Sequence, residues 1–130
     1  MRKILIVEDD KKISAALQIR LTDAGYAVRT LFDGFRSYVR VLTEEPDLIL
    51  MDIGLPTGSG LAVAEELQRA GLGDIPIIFI TASRQKNLRA RAEELNAVGF
   101  FEKPFDMKKL LAAITRALPS EYSPNEEITK

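Results

Sequence analysis

Short apolar runs alternate five times with segments of helical periodicity in this chain of 130 residues, and that alternation constrains its fold more than any other feature. Continuous apolar runs of this length are typical of strands buried on both faces, although AVRTL is a weaker example. The five predicted strands are KILIV (3–7), AVRTL (27–31), DLILM (47–51), PIIFI (76–80) and VGFF (98–101). Five βα units predict an α/β protein with a parallel, doubly wound sheet and helices on both faces, because such crossovers are right-handed.

Five stripes at helical spacing follow the five predicted strands, and a glycine or a proline ends most of the predicted helices. The stripes are Ile13, Ala16, Leu17, Arg20, Leu21 and Ala24; Phe35, Tyr38, Val39 and Leu42; Leu61, Ala64, Leu67 and Gln68; Leu88, Ala92 and Leu95; and Met107, Leu110, Leu111, Ile114 and Leu118. Residues 119–130 are polar and lose this periodicity. We therefore expect one domain over residues 1–118, followed by a polar tail or linker over 119–130.

The composition excludes several classes of site. The chain has no cysteine and no histidine, which removes disulfides, thiolate and histidine metal sites, cysteine nucleophiles and serine–histidine catalysis. Its formal net charge of −1 gives no basic field, so we expect no direct binding of nucleic acid. The N-terminal stretch MRKILIVEDD is too short for a signal peptide or a membrane span, and we expect a cytoplasmic protein without membrane contact.

Polar side chains follow four of the predicted strands at the point where each strand ends. They are Glu8, Asp9 and Asp10; Asp52; Thr81 and Ser83; and Glu102 and Lys103. Ligands of doubly wound sheets bind outside the carboxyl ends of the strands. We therefore expect these side chains to lie at one edge of the sheet, as a single site.

The chemistry of this set points to phosphoryl transfer. Clustered carboxylates repel one another unless their pKa values rise or a cation neutralises them, and an all-oxygen set suits Mg²⁺. Lys103 adds an ammonium group and Thr81 a hydroxyl donor, which together with Mg²⁺ form an anion clamp. Asp52 would be the nucleophile, because a carboxylate accepts a phosphoryl group as an aspartyl-phosphate. The glycine-rich loop GLPTGSG after Asp52 lets the backbone pass close to the site.

Four motifs in this order resemble a response regulator receiver domain of bacterial two-component signalling: IVEDD, MDIGLP, ITAS and FFEKPF. The resemblance covers about residues 2–118. It implies a flavodoxin-like (βα)5 fold with a five-stranded parallel sheet in the strand order 2-1-3-4-5.

The resemblance also implies a role for each residue that matches a motif. Asp52 matches the phosphoacceptor. Asp9 would bind Mg²⁺ directly, Glu8 would act mainly through water, and Gly54 would offer its backbone carbonyl; Mn²⁺ is an alternative ion. Asp10 is a third acid beside this pair, and the sequence leaves its contribution to the metal site open. Acids in the first turn of a helix also favour the helix dipole, which is a structural reason for Asp10.

Three further residues match the response machinery of the family. Thr81 and Lys103 would bond the phosphoryl oxygens, and Thr81 with Phe100 would form the switch. Because neighbouring strand residues face opposite sides, only one of Phe100 and Phe101 is expected to act in this way. The bond between Lys103 and Pro104 is often cis in the family.

The implied function is that of a signalling phosphoacceptor with autophosphorylation and autodephosphorylation activity, rather than a conventional enzyme. A sensor histidine kinase or a histidine phosphotransfer protein would donate the phosphoryl group. The face formed by the fourth helix, fifth strand and fifth helix would then bind an output domain, a partner protein or a second copy of the domain.

Two other classes of protein stay open at this point. One is an interaction module on the same fold that signals without phosphorylation. The other is a small nucleotide- or flavin-binding protein, but its first βα turn, EDDKK, would repel a phosphate. Ser83 is the better N-cap candidate for the fourth helix, and the basic run SRQKNLRARAEEL is either a solvated helix face or a partner surface.

Overall fold

The computed structural model describes residues 1–34, 37–56 and 58–119, and its centre is a five-stranded parallel sheet. The strands of this sheet are β1 (Lys3–Val7), β2 (Ala27–Leu31), β3 (Leu48–Asp52), β6 (Ile77–Thr81) and β7 (Ala97–Glu102), and a separate hairpin supplies β4 (Gly54–Leu55) and β5 (Gly58–Ser59). The order across the sheet is β2-β1-β3-β6-β7. Without the hairpin strands this is the order 2-1-3-4-5, so the predicted flavodoxin-like fold is confirmed.

The helices cover both faces of the sheet, as a doubly wound fold requires. They are α1 (Lys11–Asp23), α2 (Ser37–Glu44), α3 (Gly60–Arg69), α4 (Lys86–Glu94) and α5 (Met107–Ala117). Leu17 of α1 and Ile114 of α5 belong to the core on one face, whereas Val41, Leu61 and Leu88 bring α2, α3 and α4 to the core on the other. Among the described residues, no helix has the length and apolar character needed to cross a membrane.

The second helix departs from the sequence-based expectation. Tyr38, Val39 and Leu42 are 43%, 47% and 48% exposed, so the predicted stripe of α2 faces solvent. Val41 is the residue of α2 that enters the core, and the buried Ser37 donates its hydroxyl to the carbonyl of Gly34 at 2.8 Å. Phe35, the first residue of the predicted stripe, lies outside the described residues. Helical spacing predicts that apolar residues share one face, but it does not say whether that face turns toward the core or toward solvent.

The connection from β3 to α3 passes very close to the end of β3. The hairpin of β4 and β5 was not predicted from the sequence; it turns the chain back so that the amide of Gly60 donates to the carbonyl of Ile53 at 2.8 Å. Ser59 caps α3 by accepting the amide of Leu61 at 3.1 Å. A Cβ on Gly60 would collide with the carbonyl oxygen of Asp52 and lie 2.8 Å from the Met51 side chain. Gly60 therefore allows α3 to begin directly against β3.

We predict that Gly60→Ala lowers the free energy of unfolding by about 3 kcal/mol, because backbone atoms at this contact have no room to yield. Urea unfolding at fixed pH measures the change. Gly54→Ala is the matched control, since a Cβ there meets nothing within 4 Å, and its cost should be below about 1 kcal/mol. Equal losses in the two variants would contradict the prediction.

Candidate functional site

The carboxyl ends of β1, β3, β6 and β7 surround one open pocket of about 370 Å³. The residues that line it are Asp9, Asp10, Asp52, Ile53, Gly54, Thr81, Ala82, Ser83 and Lys103. Every residue for which the sequence predicts a phosphoryl or metal role lines this pocket or, in the case of Glu8, contacts a residue that does. The parallel strand order is what brings these distant residues together.

Lys103 is the cation at the centre of the site. Its Nζ lies 2.7 Å from Oε1 of Glu8 and 3.2 Å from Oδ2 of Asp52. Its backbone amide donates to the carbonyl of Thr81 at 2.7 Å, and the Lys103–Pro104 peptide is cis. Burial alone would lower the pKa of Lys103, but the two carboxylates raise it above its usual value. The side chain is therefore held as an ammonium ion between two acids.

Asp52 is buried and is held as a carboxylate. Its Oδ1 accepts the amide of Gly54 at 3.1 Å, and its Oδ2 faces Lys103. Burial alone would raise the pKa of Asp52, but a hydrogen bond with Glu8 and the charge of Lys103 outweigh burial and lower it. An ionised carboxylate that opens onto a pocket is the form required of a nucleophile.

Glu8 has the opposite electrostatic behaviour, although it contacts the same lysine. The residue is 1% exposed, and its Oε2 accepts the amide of Asp10 at 3.1 Å. Burial and the hydrogen bond with Asp52 raise the pKa of Glu8 to about 7, despite the opposing effect of Lys103. One ammonium ion therefore does not neutralise both buried acids.

Carboxylate oxygens of Glu8, Asp9 and Asp52 lie within 4.8 Å of one another. Three carboxylates against one ammonium leave an excess of negative charge, and exposed Asp9 gives the group an opening to solvent. Hard oxygen ligands with space for water suit Mg²⁺. The donor set therefore fits the ion that the sequence predicts. Gly54 lines the same pocket, and the metal role of its carbonyl stays a prediction.

Asp10 has a structural role at this edge of the sheet. Its Oδ1 accepts the amides of Lys12 and Ile13 at 2.9 and 3.1 Å, which makes it the N-cap of α1. It is not part of the carboxylate group formed by Glu8, Asp9 and Asp52. Asp10 therefore orients the helix that follows the acidic pair.

Thr81 is buried at the end of β6, and its Oγ1 accepts the amide of Ser83 at 3.0 Å. The expectation that Ser83 caps α4 is wrong: the N-cap is Gln85, which makes no side-chain capping bond. Instead, Oγ of Ser83 accepts the amide of Gln85 at 3.3 Å within the loop. Both hydroxyls therefore shape the β6–α4 loop.

Phe100 and Phe101 face opposite sides of the sheet, as the alternation of a strand requires. Phe100 packs against the core that contains α4, whereas Phe101 packs against the core that contains α1 and α5. Phe100 pairs with Phe79, and Thr81 lies two residues further along β6 on the same face. Phe100 is therefore the aromatic residue placed diagonally to Thr81.

Three contacts near the site were missed by sequence reasoning. They are the approach of Gly60 to Asp52, the amide of Gly54 on Asp52, and the ion pair between Arg84 and Glu102 at 3.1 Å. The glycine-rich loop signalled the first only in general terms. The alternation of charges around the β6 and β7 ends carried no pattern that would have revealed the third.

Residues 4–115 match the family model described as response regulator receiver domain. The chain belongs to this family. Over 112 residues the receiver domain is 43% identical to the transcriptional regulatory protein DltR of Streptococcus agalactiae. The matched segment covers 86% of this chain and 50% of DltR. The chain thus spans about half the length of the curated relatives it matches.

Solved structures of receiver proteins share the fold. The receiver domain of HemR from Leptospira biflexa superposes with a TM-score of 0.83 at 30% identity, covering 95% of this chain and 98% of that one. TrrA from Thermotoga maritima, crystallised in complex with Mg(2+)-BeF, has a TM-score of 0.79 at 28% identity, with coverage of 91% and 100%. The recognition of the family from its four motifs is confirmed.

The two neighbouring acids of the receiver domain should differ in metal binding. We predict that Asp9→Asn weakens Mg²⁺ binding at least about tenfold, because it removes an exposed anionic ligand. Asp10→Asn should change the affinity by less than about threefold, since asparagine keeps the capping bond and only a nearby charge is lost. Titration calorimetry at fixed ionic strength measures both. A larger loss for Asp10→Asn would overturn the assignment.

The stability of the domain without divalent cations should fall as the pH rises from about 5 to 8. The pKa of Glu8 is about 7 in the fold against a model value of 4.5, so the folded state keeps a proton that the unfolded chain has lost. The stabilisation is fully present below pH 4.5 and is lost as the pH passes 7, by about 3 kcal/mol. Urea unfolding in EDTA measures this loss, and Glu8→Gln should remove most of the slope. A steep slope retained in the variant would contradict this assignment.

Proposed function

We propose that this receiver domain accepts a phosphoryl group on Asp52 in a reaction that depends on Mg²⁺. The supporting observation is the paired carboxylate of Asp52, buried, ionised and open to a pocket that Lys103 and Thr81 also line. The donor would be a sensor histidine kinase or a histidine phosphotransfer protein, the partners of two-component systems.

The transfer forms a bond between a carboxylate oxygen of Asp52 and phosphorus. It breaks the phosphorus–nitrogen bond of the donor phosphohistidine, whose imidazole nitrogen keeps the electron pair. Glu8, Asp9, Asp52 and the Gly54 carbonyl would hold Mg²⁺, which would neutralise charge on the phosphoryl oxygens. The crystallised complex of TrrA with Mg(2+)-BeF supports this ion for the family.

Lys103 and Thr81 receive the new charge. The Nζ of Lys103 lies 3.2 Å from Oδ2 of Asp52. When the aspartyl-phosphate forms, this ammonium group would need only a short movement to pair with a phosphoryl oxygen instead. The hydroxyl of Thr81 accepts the amide of Ser83 and has a proton to donate to another oxygen. Movement of Thr81 would draw Phe100 along the same face of the sheet. The face formed by α4, β7 and α5 would report this change to an output domain, a partner protein or a second copy.

We also propose a docking surface for the donor protein. An apolar pocket of about 430 Å³ lies beside the site and is lined by Ile13 and Leu17 of α1, by Phe105 and Met107, and by Lys103. Lys103 lines this pocket and the phosphoacceptor pocket alike. A protein that carries a phosphohistidine must cover the surface next to Asp52 to deliver the group. We therefore assign this pocket to the kinase or phosphotransfer partner.

The alternative, an interaction module that works without phosphorylation, is not favoured, because the site keeps its nucleophile, its cation and its acidic pair. We propose residues 1–118 as the receiver domain; the predicted tail begins at Pro119, and residues 120–130 lie outside the described residues. A DltR-like output in transcription is a proposal for the longer protein, and a cytoplasmic location stays a prediction.

Intact-mass measurement tests the function directly. Incubation with acetyl phosphate and Mg²⁺ should add one phosphoryl group to the wild type, and the gain should disappear in EDTA. Asp52→Asn, which preserves the shape of the side chain, should show no gain. A folded wild type that stays unmodified would sink the proposal, as would full modification of Asp52→Asn.

A further inference from the structure

The fourth helix is weakly attached to the domain by apolar contacts. Only Leu88 and Ala92 of α4 are buried, and its N-cap Gln85 makes no side-chain capping bond. Residues of α4 and β7 line a cleft of about 160 Å³. Few buried apolar contacts are typical of an element of low local stability.

Three arginines in or just before this helix contact neighbouring elements. Arg84, just before α4, pairs with Glu102 of β7 at 3.1 Å, and Arg91 pairs with Glu65 of α3 at 3.6 Å. The guanidinium of Arg89 lies over the ring of Phe100, with Cζ 4.7 Å from the ring centroid. The basic run is a solvated helix face, as the sequence favours, because Arg84, Arg89 and Arg91 are all exposed; each of them also contacts a neighbouring element.

The contact of Arg89 has a special position, because its partner is the aromatic residue diagonal to Thr81. Phe100 is half-buried, and the guanidinium that lies over its ring belongs to an exposed arginine. A ring that moves toward Thr81 leaves the guanidinium behind. The cation–π contact therefore stabilises the position of Phe100 seen here against the position drawn inward by Thr81.

We propose that Arg89 is a positioning residue that holds Phe100 back and so sets how readily the phosphorylated state forms. The inference rests on the proposed function, since it concerns the switch that phosphorylation of Asp52 would drive. Loss of the contact between Arg89 and Phe100 would be part of the free energy that phosphorylation must supply to move the ring. Phe100 has no hydroxyl, so packing and this contact govern its position.

The probe is beryllofluoride with Mg²⁺, bound to the full chain and measured by titration calorimetry. Arg89→Gln should bind it about two- to fivefold more tightly than the wild type, the factor expected from loss of an exposed cation–π contact. Simple electrostatics predicts the opposite sign, because removing a cation near an anion site weakens binding. Arg91→Gln is the matched control: it removes the same charge from the same helix but contacts Glu65, and its affinity should equal that of the wild type within error.

A double-mutant cycle isolates the contact. In a Phe100→Leu background, Arg89→Gln should have no effect on the affinity for beryllofluoride. In NMR spectra of the wild type, the Arg89 δ-methylene protons should show an upfield ring-current shift that disappears in Phe100→Leu. A shift lost on saturation with beryllofluoride would support movement of the ring.

Each adverse outcome has its own meaning. Unchanged or weaker binding by Arg89→Gln, or equal tightening in the Phe100→Leu background, would overturn this inference and leave the proposed function intact. Failure of the wild type to bind beryllofluoride, with the ring-current shift present, would overturn the proposed function and this inference with it. If Arg91→Gln raised the affinity for beryllofluoride as much as Arg89→Gln, the effect would come from the loss of any positive charge on α4, and the role of Arg89 would be overturned.

Discussion

The site depends on one half-buried ammonium ion placed between two buried acids. Burying Glu8 and Asp52 at the edge of an apolar sheet would be costly without a partner, and Lys103 supplies it at 2.7 and 3.2 Å. Lys103 reaches both acids because it follows β7, which lies beside β6 in the sheet. The backbone amide of Lys103 donates to the carbonyl of Thr81 and holds it there. The strand order is thus a requirement of the site as well as of the core. The single cation leaves the acids with excess charge, which would favour the divalent ion that we propose.

The sequence was most informative about the sheet and its polar edge. A parallel strand buried on both faces needs a continuous apolar run, so a local stretch such as Leu48–Asp52 contains nearly all the information about its own structure. The side chains that follow such runs then share one edge by topology alone. The five helices were also located from their periodicity. For α1 and α3 the end of the helix was predicted as well, because Gly25 and Gly71 adopt the positive φ that follows a helix C-terminus.

The features that sequence reasoning missed depend on direction rather than on residue type. Asp9 and Asp10 are identical side chains next to each other, and only the turn from β1 into α1 decides which one caps the helix. The apolar stripe of α2 has helical spacing, yet its helix turns Val41 inward and Tyr38 outward. Gly60 is one of several glycines in its loop, and its need for a missing Cβ appears only where α3 meets Asp52. Such features require the path of the backbone in three dimensions.

The helices around the site differ in how they are capped, and this difference bears on where the proposed change at Asp52 would be transmitted. Asp10 and Asp106 each accept two amides at the starts of α1 and α5, and Ser59 caps α3, whereas α4 lacks a side-chain cap. A side-chain cap contributes about 1 kcal/mol, and of α1, α3, α4 and α5 it is α4 that lacks this contribution. Thr81 lies at the end of the strand that leads into α4, and Phe100 lies beneath it. A charge added to Asp52, as we propose, would therefore act next to the strand that leads into this uncapped helix, while Asp52 itself ends the central strand β3.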